Sequence, residues 1–178
     1  HSSIGKIFYL LETQSGDTSQ IWSLHASPRP APDGHYGAQM TPDQSLVYYC
    51  QHGELLAEAS VSVDHSDPLE RWDISLTNNG KQERLVQIVS LRDLVLNDPG
   101  MAARQPSYND LHIRSCFVPP LQALFATNRL LGVTDSISEG EVYFHALAKL
   151  PEHTRLLGFQ DSRAAIVGAG SRQHPCGL

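Results

Sequence analysis

The sequence predicts an all-β sandwich, and three of its features favour that fold class. Apolar and polar residues alternate over short segments, turn residues recur at short intervals, and no segment keeps a helical period over three turns. Alternation is typical of strands because successive side chains point to opposite faces of a sheet. A chain of 178 residues is long enough to bury a core of its own. We therefore expect one β-sandwich domain over residues 1–178.

The predicted strands follow one another with turn residues between them. The clearest alternation lies at residues 69–77, where Trp72, Ile74 and Leu76 share one face. The Asn78-Asn79-Gly80 stretch after it predicts a hairpin turn, because Asn and Gly tolerate positive φ. Prolines and glycines over residues 28–37 predict a long exposed loop. The predicted strands are residues 4–11, 46–50, 55–63, 69–77, 82–96, 111–118, 121–127, 142–150 and 155–160.

Residues 104–129 contain a tyrosine, acids, a histidine and a cysteine close together in sequence. His112 and Cys116 fall on one face of a predicted strand, four residues apart. In extended backbone that separation is about 13 Å, too far for a proton to pass between them. The stretch is therefore interpreted as a loop, a strand, a turn and a strand, and not as a catalytic dyad.

Charge and composition exclude several classes of function. A net charge of −6 disfavours a surface for nucleic acid or anionic membrane. No apolar run approaches the roughly 20 residues that span a bilayer, so we expect no direct membrane contact from this segment. The three cysteines show no metal-site or disulfide spacing, which favours reduced thiols and a cytoplasmic location. Because the chain does not begin with Met, we expect it to be a piece of a larger multidomain protein.

Local motifs predict neither a metal site nor a cofactor. None of the nine histidines has a partner at the spacing of a ligand pair. Residues 64–67 read Asp-His-Ser-Asp, but the proline that follows favours a turn. No nucleophile elbow is present, and the Gly-Ala-Gly-Ser stretch at residues 168–171 lacks the rest of a phosphate loop. We predict no metal, no cofactor and no catalytic residue.

The aromatic residues are the features that point to a ligand. An aromatic ring can stack on the apolar face of a sugar, and neighbouring planar polar groups can bind its hydroxyls. Trp72 lies on the apolar face of its strand and is expected in the core. The rings considered are Trp22, Tyr36, Tyr48, Tyr49, Trp72, Tyr108 and Tyr143. The sugar contacts that we predict are Tyr36, Tyr108, Asn109, Asp110 and Arg129, on the expectation that both tyrosines lie in loops.

Five stretches, in the same order along the chain, carry a family resemblance. They are residues 5–10 with 21–23, residues 61–80, residues 105–111, residues 123–129 and residues 161–172. In them the chain resembles the β-sandwich domain of glycoside hydrolase family 94, formerly glycosyltransferase family 36. It is most similar to the corresponding domain of cyclic β-1,2-glucan synthases.

The resemblance implies a galactose-mutarotase-like β-supersandwich, incomplete in this chain, and an accessory role in a glucan-processing enzyme. In the family the catalytic acid belongs to a helical barrel, so no catalytic residue is carried over. The implied partners are a glucan or oligosaccharide and the remainder of the parent chain with its barrel. A parent of the cyclic glucan synthase type implies the cytoplasmic side of an inner-membrane protein.

Two other functions stay open on the sequence. A free-standing sugar enzyme of mutarotase or hydrolase type would need a histidine and a carboxylate that converge in one concave site. A structural scaffold between domains would have its aromatics buried in a core or an interface.

Overall fold

The computed structural model describes residues 5–14, 17–96, 100, 104–105, 107, 111–128 and 142–178. The chain divides into two compact units. The sandwich unit comprises Lys6–Arg92 and Ala169–Leu178, and the second unit comprises His1–Gly5 and Asp93–Gly168. Strands make up nearly all of the regular structure in the described ranges, which confirms the predicted all-β class. One domain over residues 1–178 stays a prediction.

Two antiparallel sheets build the sandwich unit. The three-stranded sheet has the order β2-β1-β7, and the four-stranded sheet has the order β3-β4-β5-β6. Gly53, with φ of 56°, allows the tight turn between β4 and β5. The strands are β1 Lys6–Gln14, β2 Asp17–Ser23, β3 His35–Met40, β4 Leu46–His52, β5 Leu55–Val63, β6 Glu70–Asn78 and β7 Leu85–Arg92.

The core of the sandwich unit contains side chains from both sheets. Alternation places Leu55, Ala57 and Ala59 of β5 inward, as the sequence predicts. Trp22 is fully buried, and the small alanines leave volume for rings of this size. The buried cluster is Phe8, Leu10, Trp22, Leu24, Ala31, Cys50, Leu55, Ala57 and Ala59, with Tyr36, Tyr48, Trp72, Ile74, Leu76 and Val86 packed against it. Trp72 is thus a core residue, as expected.

Strand β1 is buried on both faces, which explains its continuous apolar sequence. Phe8 and Leu10 point into the core, while Ile7, Tyr9 and Leu11 on the opposite face are also buried. The Tyr9 hydroxyl donates to the carbonyl oxygen of Arg172 at 2.6 Å. The C-terminal segment of the sandwich unit therefore packs over the outer face of this strand.

The hairpin predicted at Asn78-Asn79-Gly80 is wrong. Strand β6 pairs with β5, and β7 pairs with β1, so the chain passes from one sheet to the other after Asn78. Gly80 is not among the glycines with positive φ. The Asn78 amide holds the connection by accepting from the N–H of Gly80 and donating to the carbonyl of Gln82. The sequence signal misleads here because Asn and Gly can form a turn within a hairpin or a connection between two sheets.

The acidic segment after β5 is a turn, as predicted. The Asp64 carboxylate accepts hydrogen bonds from the backbone N–H groups of Ser66 and Asp67, at 2.8 and 3.0 Å. These two bonds lower the pKa of Asp64. The carboxylate is thus engaged by its own backbone.

The second unit contains a sheet of order β10-β9-β8. Its strands are β8 Ile113–Val118, β9 Ala123–Asn128 and β10 Val142–Ala146, all antiparallel, and a 3-10 turn at Pro119–Leu121 joins β8 to β9. From Ile113 onward the described part of residues 104–129 is a strand, a turn and a strand, as predicted. Before it, the described residues Arg104, Ser107, Leu111 and His112 are helical, so the predicted loop and the predicted strand start at residue 111 are wrong. Residues 155–160, predicted as a strand, have no regular structure, and a short helix follows at Arg163–Val167.

Candidate functional site

An aromatic cleft opens at the β3 edge of the sandwich unit. It has a volume of about 250 Å³. Leu24 to Ala26, just after β2, form one wall, and the β3 and β4 strands form the other. The residues that line this aromatic cleft are Leu24, His25, Ala26, Tyr36, Gly37, Ala38, Tyr48 and Tyr49.

Tyr36 lies in strand β3, and the prediction that it lies in a loop is wrong. Its hydroxyl accepts from the N–H of Ala31 at 2.6 Å and donates to the carbonyl of Ser23 at 3.1 Å. Burial raises the pKa of Tyr36, and the nearby Cys50 thiol adds to the rise. The hydroxyl therefore anchors the preceding loop, and Tyr36 is one of the residues that line the cleft.

His25 supplies the polar group of the cleft. Its ring meets Tyr48 edge-on, with centroids 4.6 Å apart, and meets Trp72 edge-on at 5.9 Å. Burial lowers the pKa of His25, so the imidazole is neutral at neutral pH. A neutral imidazole offers one donor and one acceptor, which is the combination that a sugar hydroxyl can pair with.

Lys6, at the start of β1, lies beside the aromatic rings of Phe8 and Trp72. Its ammonium lies 5.5 Å from the centroid of Phe8 and 5.4 Å from that of Trp72. Burial lowers the pKa of Lys6 to about 8, against the opposing effect of Glu70 and with a further lowering by Arg92. Glu70 in turn accepts from the indole N–H of Trp72. The ring of Trp72 is thus contacted by the Lys6 ammonium, the Glu70 carboxylate and the His25 ring.

A second polar group lies at the other end of β1. Glu12 is 1% exposed and pairs with Arg84, which also approaches Glu54 at 3.7 Å. His52 contacts the oxygen of the Gln20 amide at 3.3 Å and packs edge-on against the buried ring of Trp22. Because Glu12 is enclosed, we interpret this group as a structural ion pair and not as a reaction site.

Of the five predicted sugar contacts, the structure describes one. Tyr108, Asn109, Asp110 and Arg129 lie outside the described residues. Tyr36 is described and lines the cleft. Trp22, considered as a platform, is fully buried and so inaccessible to a ligand.

His25, Tyr48 and Tyr49 line the cleft without having been predicted as site residues. Tyr48 and Tyr49 carried a signal only through their aromatic type, since an aromatic ring can stack on a sugar. His25 carried none, because its place depends on the path of the loop after β2.

The cleft suits binding more than bond cleavage. Glycoside hydrolysis uses a pair of carboxylates. Of the eight lining residues, all within the described ranges, none is Asp or Glu. Nor do the described residues contain a group of three or more His, Cys, Asp and Glu that could hold a metal ion.

The thiols of Cys50, Cys116 and Cys176 are free, and only Cys50 is buried.

The sandwich unit is thus an all-β scaffold with an aromatic cleft at the edge of one sheet. The model of one protein family, described as "Glycosyl hydrolase 94, supersandwich domain", matches residues 2–177. The chain belongs to this family, as the resemblance implied, and is an accessory-type domain of a glycoside hydrolase/phosphorylase-family protein. No curated protein matches the sequence. Among the described helices, none is long and apolar enough to cross a membrane.

Proposed function

We propose that the chain is a carbohydrate-binding accessory domain of a glucan-processing enzyme and has no catalytic role of its own. The parent would be of the cyclic β-1,2-glucan synthase or sugar phosphorylase type, with its chemistry in a helical barrel. A cyclic glucan synthase parent would hold this domain on the cytoplasmic side of the inner membrane. The family supports the accessory role, since its description names the supersandwich domain of a glycosyl hydrolase family.

The aromatic cleft is the observation that carries the binding role. Tyr36 and Tyr48 present rings to a lining that is mostly apolar, and His25 adds a neutral polar group among them. Pyranose rings have an apolar face and a rim of hydroxyls, so a few aromatic rings with one neutral donor and acceptor match them. The absence of charged side chains among these lining residues favours an uncharged glycan over a phosphorylated one.

A thermal-shift titration with linear β-1,2-, β-1,3- and β-1,4-gluco-oligosaccharides tests the proposal. A ligand that binds only the folded state raises the unfolding midpoint by mass action. We expect a rise with one linkage in the unmodified chain. Ala26→Trp should abolish the rise, because Ala26 is an exposed lining residue and the indole would fill the cleft.

Ala148→Trp is the matched control. Ala148 is also exposed, but it does not line the cleft, so the rise should persist in this variant. A rise that survives Ala26→Trp unchanged would refute the cleft as the binding site.

Packing against the rest of the parent chain is a second candidate function, and one observation favours it. On β10, Val142 and Phe144 share a face and are 58% and 48% exposed. Apolar side chains exposed in a row commonly mark an interface. No midpoint rise with any of the three linkages would favour this scaffold role over sugar binding.

A further inference from the structure

The outer face of the four-stranded sheet has a chemistry distinct from that of the core. Strand alternation turns Tyr49 of β4, Glu58 of β5 and Ser75 of β6 away from the core. Tyr49 pairs with Gly37 and with Glu58, and Glu58 pairs with Ser75, so the four residues form one row across all four strands. Paired residues on one face of a sheet lie about 5 Å apart, which makes the row a continuous strip.

Tyr49 is the aromatic platform of this row. A Cβ built at Gly37 would lie 2.2 Å from the Cζ and hydroxyl oxygen of Tyr49, so the ring lies directly on the backbone of β3. The glycine makes this close approach possible, since any side chain there would displace the ring. Tyr49 is 37% exposed, so part of the ring is open to solvent. A ring held in place in this way loses little rotational freedom when a ligand stacks on it.

The polar side chains beside the platform are also held in position. Ser75 donates to the Glu58 carboxylate at 3.5 Å. Arg71 and Asp73 form an exposed ion pair at 2.9 Å. Four other side chains of β5 and β6 point outward. Three of them, Ser60, Ser62 and Thr77, are small and carry a hydroxyl, and the fourth is Leu56. The sheet surface beside Tyr49 is therefore formed mostly by short side chains that can form hydrogen bonds.

We propose that this outer face is a second glycan-binding surface, on which Tyr49 stacks against a pyranose ring while Glu58 and its neighbours bind the hydroxyls. The proposal rests on the proposed function for the class of ligand, a neutral glucan. It adds a surface that runs from Gly37 and Tyr49, which also line the cleft, to Glu58 and Ser75, which do not.

Charge selects this ligand class over others. Strands β3 to β6 turn two carboxylates outward, Glu58 and Asp73, against a single fully charged cation, Arg71. That balance disfavours nucleic acids and phosphorylated sugars. A protein partner would bury an exposed ion pair and several hydroxyls, which is unfavourable unless each finds a new bond. A flexible glycan can bind the hydroxyls and leave the ion pair in water.

Amide chemical-shift mapping by NMR on the full chain, titrated with a linear β-1,2-gluco-oligosaccharide, tests the proposal. We expect shifts at Glu58 and Ser75, which do not line the cleft, beside those at Gly37 and Tyr49, which do. Glu58→Ala should weaken binding at this surface by about tenfold or more, the effect of one lost hydrogen bond to a charged carboxylate. Tyr49→Ala should weaken it by a similar or larger factor through lost stacking.

Two variants separate this surface from the cleft. Glu58 does not line the cleft, whereas Ala26 does. Shifts at Ser75 and its outward neighbours outside the cleft that persist in Ala26→Trp and weaken in Glu58→Ala support the second surface, whatever becomes of the cleft. Shifts confined to cleft residues, lost in Ala26→Trp and unchanged in Glu58→Ala, overturn it and leave the proposed function standing. No shift at either place, with β-1,3- and β-1,4-linked oligosaccharides tried as well, overturns both.

Discussion

The two faces of the four-stranded sheet differ sharply in chemistry, although the same strands build both. On β6, Trp72, Ile74 and Leu76 face the core, while Arg71 and the other odd-numbered residues face solvent. The inner face is held by packing, where volume and hydrogen-bond satisfaction decide the energy. The outer face carries exposed polar pairs and a partly exposed tyrosine ring, which a ligand in solvent can reach. Substitutions on the two faces should therefore differ in what they damage.

Trp22→Ala should produce the largest loss of stability, since it removes a fully buried ring from the centre of the core. We expect the free energy of unfolding to fall by about 3–5 kcal/mol, as for other large-to-alanine changes in cores. Guanidinium unfolding followed by circular dichroism measures it. Trp22→Phe, which keeps an aromatic ring, should lose clearly less. Equal losses in the two variants would contradict a packing role.

Arg84→Met should come next, because it leaves the Glu12 carboxylate buried without its partner. We expect a loss of roughly 3 kcal/mol in the same unfolding experiment. Glu54→Ala is the control, since Glu54 is exposed and lies 3.7 Å from Arg84, and it should lose little. The double variant Glu12→Leu with Arg84→Met should recover much of the loss. A double variant as unstable as Arg84→Met would show that the buried charge is not the cause.

Lys6→Met should raise the unfolding midpoint near neutral pH and lose that advantage in alkali. In the folded state the pKa of Lys6 is about 8, below its ordinary value of 10.5, because burial disfavours the charged form. Between these two values the unfolded chain binds more protons than the folded chain, so the stability of the unmodified chain rises with pH. The gap between Lys6→Met and the unmodified chain should therefore narrow from pH 8 to pH 10.5, as thermal melts across this range would show.

Lys81→Met is the control for that comparison. Lys81 is exposed, so its replacement should leave the midpoint almost unchanged at every pH. A gap for Lys6→Met that stays constant with pH would mean that its effect comes from packing alone.

Arg71→Ala on the outer face should have the smallest effect on stability. The Arg71–Asp73 pair is exposed on both sides, and such pairs contribute about 0–1 kcal/mol. A loss larger than this in chemical denaturation would place the outer face among the structural parts of the sheet and weaken its assignment as a ligand surface.

Much of the strand pattern was predictable because alternation is written in neighbouring residues. Strand β5 has the predicted bounds, and the inner face of β6 is the predicted one. The strand-turn-strand interpretation of residues 104–129 agrees with β8 and β9 where the structure describes them. Strand ends were less predictable, as at β7, which is shorter than the predicted residues 82–96.

The candidate site was predictable only in part. Tyr36 was identified, but as a loop residue, since the prolines and glycines before it hide the start of β3. His25 reaches the cleft because the chain after β2 turns beside Tyr48, a contact between residues far apart in sequence. Sequence patterns describe residues that are close together along the chain, so they do not predict contacts between residues far apart in sequence.

The sequence alone determined the class of fold, the faces of the main strands and, through five ordered stretches, the family. Each depends on residue types at short or fixed spacing, which the chain carries whether folded or not. The tertiary structure decided which strands pair. Strand β7 joins β1 in place of β6, although Asn78-Asn79-Gly80 invites a hairpin. It also decided that Tyr49 would lie on Gly37 and that His25 would meet Tyr48. These contacts follow from burying apolar faces against distant partners, a gain that exists only once the whole sandwich has formed.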